Sequence, residues 1–368
     1  MRVLVTTETW TRLAGLVPLG WALRTAGHEV CVAVPPALLP AARGTGLPVA
    51  VVGQGGAEVA EVAEVAEAAE AAEVDAAALA DFAARWKPGL VIWDADHFAG
   101  PLAAHAVGTA HVRVLTAPDR WGRIWTSPPG REDLARQLSA EAARFGASFS
   151  EDLVLGQATI DPLPSCLRLP LEGEVQVIRQ VPYDGVAVAP GWLQRKPKHP
   201  RVCVTLTRPQ ASSTAAVLAA VAELDVDVVA VLDAAALPLG TRIPANVRLL
   251  ERMSLTVLLP GCAALVHDGG SGTILAAMIY GVPQLGLATA VWGDSDVMAE
   301  IERSGAGLSG DAGALPEQIT RLLEEPSIRD GAAGAREELS RRPSPHDIVS
   351  WLAKLAADPI SPGGSRRP

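Results

Sequence analysis

The sequence predicts an α/β protein of two doubly wound parallel-sheet domains that face one another across a cleft. Three observations lead there. Short β-branched runs alternate with apolar helical segments that stop at glycine or proline, the signature of βαβ units. The alternation occurs in two series, one from Arg2 and one from Arg201, separated by a Gly-, Pro- and Lys-rich stretch over Asp184–Pro200. At 368 residues the chain exceeds one ordinary domain, and its 49% hydrophobic content is ample for two cores.

In the first series "RVLVTT" (Arg2–Thr7) is the opening strand, Leu13–Ala26 a helix closed by Gly27, and "HEVCVAVP" (His28–Pro35) the next strand. "PGLVIWD" (Pro88–Asp94) and "AHVRVLT" (Ala110–Thr116) are further strands, with "GPLAAHAVG" as the helix between them. In the second series "RVCVTLT" is a strand, "TAAVLAAVAEL" a helix, and "DVDVVAVLD" and "NVRLLE" strands. "SLTVLLPGC" follows as a helix, then "AALVHD" as a strand, "TILAAMIYG" as a helix and "VPQLGLA" as a strand.

One segment breaks the pattern. "AEVAEVAEVAEAAEAAEV" (Ala57–Val74) repeats every three residues. Successive glutamates on such a helix lag by about 60°, so they wind around it and leave no apolar face. Alanine favours helix, like charges three apart oppose it, and no Lys or Arg lies between Arg43 and Arg85. The segment reads as a solvated marginal helix or a loop, with a lid over a bound substrate as the functional alternative. The tail "DPISPGGSRRP" reads as disordered.

A net charge of -10 argues against a nucleic-acid or anionic-membrane partner, since phosphate binding needs a basic surface. No run of apolar residues is long enough to span a bilayer, and "MRVLVTTETW" reads as a strand rather than a signal peptide. Cys31, Cys166, Cys203 and Cys262 are scattered without paired spacing, as expected of reduced thiols. These features together predict a cytoplasmic protein.

The stretch "LVHDGGSGTILAAM" (Leu265–Met278) carries the first chemical signal. It lies where a strand ends and a helix opens, the place where parallel sheets bind ligands. Unpaired N–H groups and the positive dipole end of that helix suit a phosphate, and the glycines admit close approach. Ser271 and Thr273 add hydroxyl donors, and His267 is expected to donate to a diphosphate. The pattern is neither G-x-G-x-x-G nor a Walker loop.

With those residues in view, "VHDGGSGTILAAMIYGVPQLGLATAVWGDSDVMAEIERSGAGL" (Val266–Leu308) resembles the donor-site motif of GT-B glycosyltransferases, in particular the bacterial enzymes that attach deoxysugars to polyketide natural products. "GLVPLGWALRTAGHEVCVA", "LGQATIDPLPSCLRLP", "VPYDGVAVAPGWL" and "NVRLLERMSLTVLLPGCAALVHDGG" are similar to other parts of the family pattern, so the resemblance spans nearly the whole chain. It implies a GT-B fold of two Rossmann-like domains. Residues 1–183 would form an acceptor-binding domain, 184–200 the linker, 201–345 a nucleotide-sugar domain, and 346–368 a helix returning toward the N-terminal domain plus the tail.

The resemblance places His267, Gly269, Gly270, Ser271, Gly272 and Thr273 at the donor diphosphate. Thr207 and Arg208 fall near the phosphates or linker, and Met253, Ser254 and Leu255 beside the base, usually thymine. Asp294 and Asp296 fall near positions that bond sugar hydroxyls, although the usual Asp-Gln pair is absent. Asp268 stands where many relatives have a second histidine. The implied partners are a TDP-deoxysugar and a small aglycone, with no cofactor and no metal, and a homodimer or auxiliary protein remains an open alternative.

The family's usual base is a histidine after the first strand. Matching "TRLAGLVPLGWAL" to the pattern puts Arg12 at that place, and a guanidinium stays protonated. Glu8, Asp96, His97 and Asp119 are the candidate replacements, because each follows a strand that should end at the cleft; Asp94 lies beside them. A Glu8–Arg12 ion pair is the plain alternative for Glu8. His28, His105, His111 and His199 read as helix-end, surface or linker residues. Trp10, Trp93, Trp121 and Trp125 are candidates for an apolar acceptor wall, with core packing the bland alternative for each.

The expectation is therefore an inverting glycosyltransferase moving a deoxysugar to a polyketide-type aglycone. Two alternatives stand beside it: a degenerate homologue acting as a partner protein, and a nucleotide-sugar epimerase.

Overall fold

The computed structural model describes residues 1–53, 75–170, 173–206, 211–233, 237, 240–287, 294–310 and 313–357, with side chains at 211–213 and 294–296 outside that description. The three-residue repeat of Ala57–Val74 and the tail from Asp358 therefore lie outside the described residues.

Two compact units divide the chain. The first holds a seven-stranded sheet of β1 (Arg2–Thr6), β2 (Glu29–Val34), β3 (Val49–Val51), β4 (Leu90–Asp94), β5 (Ala110–Val114), β6 (Thr159–Asp161) and β7 (Val175–Val177). The strand order is β3-β2-β1-β4-β5-β6-β7, and every pairing is parallel. The second holds β8 (Arg201–Thr205), β9 (Asp227–Val231), β10 (Val247–Leu250), β11 (Ala264–His267), β12 (Gln284–Leu287) and β13 (Gly307–Gly310), in the order β10-β9-β8-β11-β12-β13, again all parallel. Each sheet thus reverses its winding once, between β1 and β4 and between β8 and β11, and these reversals are where doubly wound sheets bind ligands.

The strands are apolar on both faces because helices cover both, as parallel sheets require. In the first unit the helix Trp10–Thr25 buries Leu13, Leu16, Val17 and Leu23 against one face, and the helices Ala76–Trp86 and Ala99–Val107 cover the other. The helix Val349–Ala357 joins the first face although it is the last among the described residues: Ile348, Val349, Leu352 and Leu355 sit in the same core as Val3 and Val5. The chain leaves the first unit briefly over Pro164–Leu167, leaves it again after Gly185 and re-enters it at Arg342.

All strands read from the sequence are present. The edge strands β3, β7 and β13, the short strand β6 and helices including Arg120–Thr126, Pro128–Arg144 and Asp152–Leu155 are additions. The segment "SLTVLLPGC" forms only one α-turn, Leu255–Leu258, continued as a 3-10 turn over Leu259–Gly261, because Pro260 cannot continue the helical ladder.

Candidate active site

In the second unit, β11 ends at His267 and the backbone turns through Asp268, Gly269 and Gly270 into the helix Ser271–Tyr280. Gly269 (φ +101°) and Gly270 (φ +90°) hold conformations that side chains oppose. No side chain caps this helix. Its own bonding begins with the N–H groups of Thr273 and Ile274, both donating to the Gly270 carbonyl at 3.1 Å. The N–H groups of Gly270, Ser271 and Gly272 therefore precede the ladder at the positive dipole end, a ready anion site with the Ser271 and Thr273 hydroxyls on the same turn. Gly270 and Gly272 are exposed, and Ser271 and Thr273 are half-buried.

His267 behaves differently from its expected part as a diphosphate donor. It is fully buried, and its Nδ1 accepts from the Gly269 N–H at 3.0 Å. The ring proton then sits on Nε2 and is donated to Gln284 Oε1 on β12, also at 3.0 Å. Burial pushes its pKa down to about 4, outweighing the raising effects of Gln284 and Asp268. The ring is neutral, both nitrogens are committed, and its work is to hold the glycine backbone in shape.

Ser254 caps Leu255–Leu258 by accepting from the Val257 N–H at 3.3 Å, while Met253 and Leu255 pack against a core cluster. Thr207 and Arg208 lie outside the described residues. Asp294 and Asp296 open the helix Asp294–Arg303, and their side chains lie outside the description.

In the first unit the neighbouring ends of β1 and β4 gather most of the base candidates. Arg12 Nη1 donates to Asp94 Oδ1 at 2.5 Å, and Arg12 also pairs with Asp96. Thr116 Oγ1 donates to Asp94 Oδ2 at 2.6 Å. Burial lowers the Arg12 pKa, but the two carboxylates outweigh it and raise the net value, so this guanidinium keeps its proton. Alongside, His97 Nδ1 lies 2.8 Å from Glu8 Oε1 and Nε2 lies 2.9 Å from Thr6 Oγ1. Glu8 is thus paired with an imidazole, and Arg12 takes Asp94 and Asp96.

Asp119 is elsewhere. Only 2% exposed, it takes two bonds from the buried Arg113, at 3.2 and 2.8 Å, and caps the helix Arg120–Thr126 by accepting from the Gly122 N–H at 2.8 Å. A carboxylate so committed holds structure and is not placed to take a substrate proton. Two of the four tryptophans are core residues: Trp93 is fully buried on β4 and Trp125 is 2% exposed. They cannot form an acceptor wall. Trp10, half-buried, packs against Tyr183 at 6.1 Å, and Trp121 meets Phe98 edge-on at 4.9 Å.

His105 lies in the last turn of its helix, as the sequence reading allowed, whereas His111 departs from it. His111 is a fully buried strand residue, and both Nε2 atoms lie against Asp152 Oδ2, at 3.1 and 3.2 Å. This is the one His/Asp group with ligand-like spacing among the described residues. Trp93 Nε1–H donates to His111 Nδ1 at 3.2 Å, so the His111 proton belongs on Nε2, where a metal would need a lone pair. The cluster is a hydrogen-bonded clasp. Thr6, Thr116 and Gln284 were not singled out from sequence. Only Gln284 left a signal, as a polar residue inside an otherwise apolar strand.

A family profile described as "Erythromycin biosynthesis protein CIII-like, C-terminal domain" matches residues 215–355, and its N-terminal counterpart matches 71–207. The chain is 35% identical to an aclacinomycin-T 2-deoxy-L-fucose transferase of Streptomyces galilaeus, over 100% of this chain and 98% of that protein. It is 36% identical to a 10-deoxymethynolide desosaminyltransferase of Streptomyces venezuelae, over the whole of both. Among solved structures, the spinosyn forosaminyltransferase SpnP is similar with a TM-score of 0.84 and 38% identity, covering 97% of this chain and 100% of that one. The glycosyltransferase VinC in complex with dTDP is similar with a TM-score of 0.85 and 34% identity, over the same shares.

Proposed function

Since the chain belongs to the erythromycin biosynthesis CIII-like family of bacterial natural-product glycosyltransferases, with the GT-B fold, we propose that it transfers a deoxysugar from a TDP donor to a polyketide-type aglycone with inversion at the anomeric carbon. The observation that carries this reading is the glycine turn after β11. Its open N–H groups, helix dipole and hydroxyls suit a diphosphate leaving group, and VinC, similar over nearly the whole chain, is a complex with dTDP. Relatives named for deoxysugar transfer support the sugar class.

In the proposed reaction an acceptor hydroxyl attacks the anomeric carbon from the face opposite the diphosphate. Its proton passes to a base of the first unit, and the diphosphate leaves with the bonding electrons. The helix end stabilises the charge that develops there, so the reaction needs no metal and no cofactor beyond the nucleotide sugar. Turnover undiminished by a chelator is the expected result, and loss of activity restored by a divalent cation would refute that part.

The decisive experiment is calorimetric titration with TDP and with UDP. The wild-type protein should bind TDP more tightly. Gly270→Ala, which forces a side chain into the +90° backbone, should weaken binding by about tenfold or more. A folded protein that binds neither nucleotide would end this reading. Arg12 at the usual base position, locked between two carboxylates, favours one alternative, a partner protein without turnover. TDP binding with no transfer to any aglycone would be its mark.

A further inference from the structure

We infer that Gln284 is the positioning residue of the glycine turn: by accepting the His267 ring proton it fixes the tautomer that ties the Gly269 N–H inward, and so sets the shape of the backbone that receives the diphosphate. This rests on the donor reading above and lies wholly within the second unit.

Two bonds in series hold the turn from beneath. The Gly269 N–H donates to His267 Nδ1 at 3.0 Å, and His267 Nε2–H donates to Gln284 Oε1 at 3.0 Å. The first bond needs a lone pair on Nδ1, so the single proton of a neutral ring must sit on Nε2. Which nitrogen carries the proton is set by what the other one bonds. The ring is fully buried, and Gly269 and Gln284 are its hydrogen-bond partners among the described residues. Without an acceptor at Nε2 that N–H would be a buried orphan. The ring would then gain by moving its proton to Nδ1, where it faces the Gly269 N–H and can no longer accept from it. The glutamine oxygen closes that route.

The surroundings of Gln284 point to the same bond. Leu265 pairs with Gln284 and His267 with Gly286, so the side chain reaches the ring diagonally between adjacent strands. Gln284 is fully buried, and its Nε2 has no partner among the described residues. An unpaired buried donor is destabilising, and an apolar side chain of the same length would avoid it. The bond through the oxygen is what the amide contributes. On β13, Gly307 leaves room for this side chain: a Cβ there would come within 2.8 Å of Gln284 Cγ and 2.4 Å of the Gln284 carbonyl oxygen.

The consequence falls on the anion site. With Gly269 buried and tied inward, Gly270, Ser271 and Gly272 carry the N–H groups left to a ligand. The positive φ values of Gly269 and Gly270 turn the chain from the inward bond to the exposed part of the loop. A ring that releases Gly269 would let this backbone sample other shapes, and a diphosphate would then have to order it on binding.

The test is calorimetric titration of the full chain with TDP, together with ¹⁵N spectra of its histidines, in which the His267 signals are those missing from His267→Gln. Wild type should show Nε2 protonated and Nδ1 bare. Gln284→Met keeps the length and removes the acceptor; it should lower TDP affinity about tenfold and move the ring proton to Nδ1. Gln284→Glu keeps an acceptor of the same reach, and at pH 8 it should retain the tautomer and stay within about threefold of wild-type affinity. Leu322→Ala, a change in the core of the same unit, should lower Tm yet leave the TDP affinity of the folded protein within about twofold, which separates positioning from general loss of stability. Wild-type affinity in Gln284→Met overturns the inference, as do equal losses in Gln284→Met and Gln284→Glu. A wild-type ring protonated on Nδ1 overturns it too, and that measurement needs no variant at 284 to fold. If wild type itself binds no TDP, the donor reading fails, and this inference falls with it.

Discussion

His267 illustrates how much a single buried ring can commit a site. Its ordinary pKa of 6.5 falls to about 4 in the fold, so the unfolded chain binds a proton there that the native state refuses. Between those values the unfolded state holds more protons, and stability must fall as the pH drops from 6.5 toward 4, by about 3 kcal/mol from this residue alone. His111 is lowered by its own burial and acts in the same direction. His267→Gln should flatten part of the decline in Tm between pH 7 and pH 5; an identical decline in wild type and variant would dismiss the assignment. The sequence marked His267 as a member of the glycine turn but not its role, because the role depends on Gln284, which only strand pairing brings near. Glu8 and His97 show the same limit at 89 residues of separation. Each was legible as a strand-end polar group, whereas their contact required knowing that β1 and β4 are neighbours.

At the scale of elements, the helix Arg120–Thr126 depends on Asp119 in two ways, as its cap and as counter-ion to Arg113. Breaking a buried pair by removing one charge costs about 3–5 kcal/mol. Asp119→Asn should therefore lower Tm sharply, while the protein that remains folded keeps its TDP affinity; an unchanged Tm would show the pair to be idle. This helix and its successor Pro128–Arg144 escaped the sequence reading. The longer one buries only Leu134, Leu138 and Ala142, a thin i, i+4, i+8 stripe on a polar segment. The central strands and covering helices such as Trp10–Thr25 and Ala99–Val107 were legible because burial on both sheet faces leaves continuous apolar runs, bounded by glycine and proline, whereas the covering helix Ala76–Trp86 was not. Short edge strands such as β7, half-buried throughout, carry no such pattern.

At the scale of the whole molecule, two sheets with one winding reversal each explain why chemistry-bearing residues cluster where they do. The carboxylates and His97 gather at the β1–β4 reversal, and the glycine turn at the β8–β11 reversal. The division of the chain also makes the last helix part of the first core. Leu352 is fully buried there, and Leu352→Ala should cost about 2–5 kcal/mol, read as a lower unfolding midpoint. A variant at this position as stable as wild type would deny the helix its place in that core.

That place has a consequence for the order in which the protein is born. A ribosome releases residues 1–163 long before it makes Leu352, so the first sheet emerges with one flank of its core uncovered. Nascent chains long enough to expose residues 1–185 but not Leu352 carry that sheet without its last covering helix, and should yield to protease more readily than the released protein. That half-covered first unit is the species a chaperone would meet.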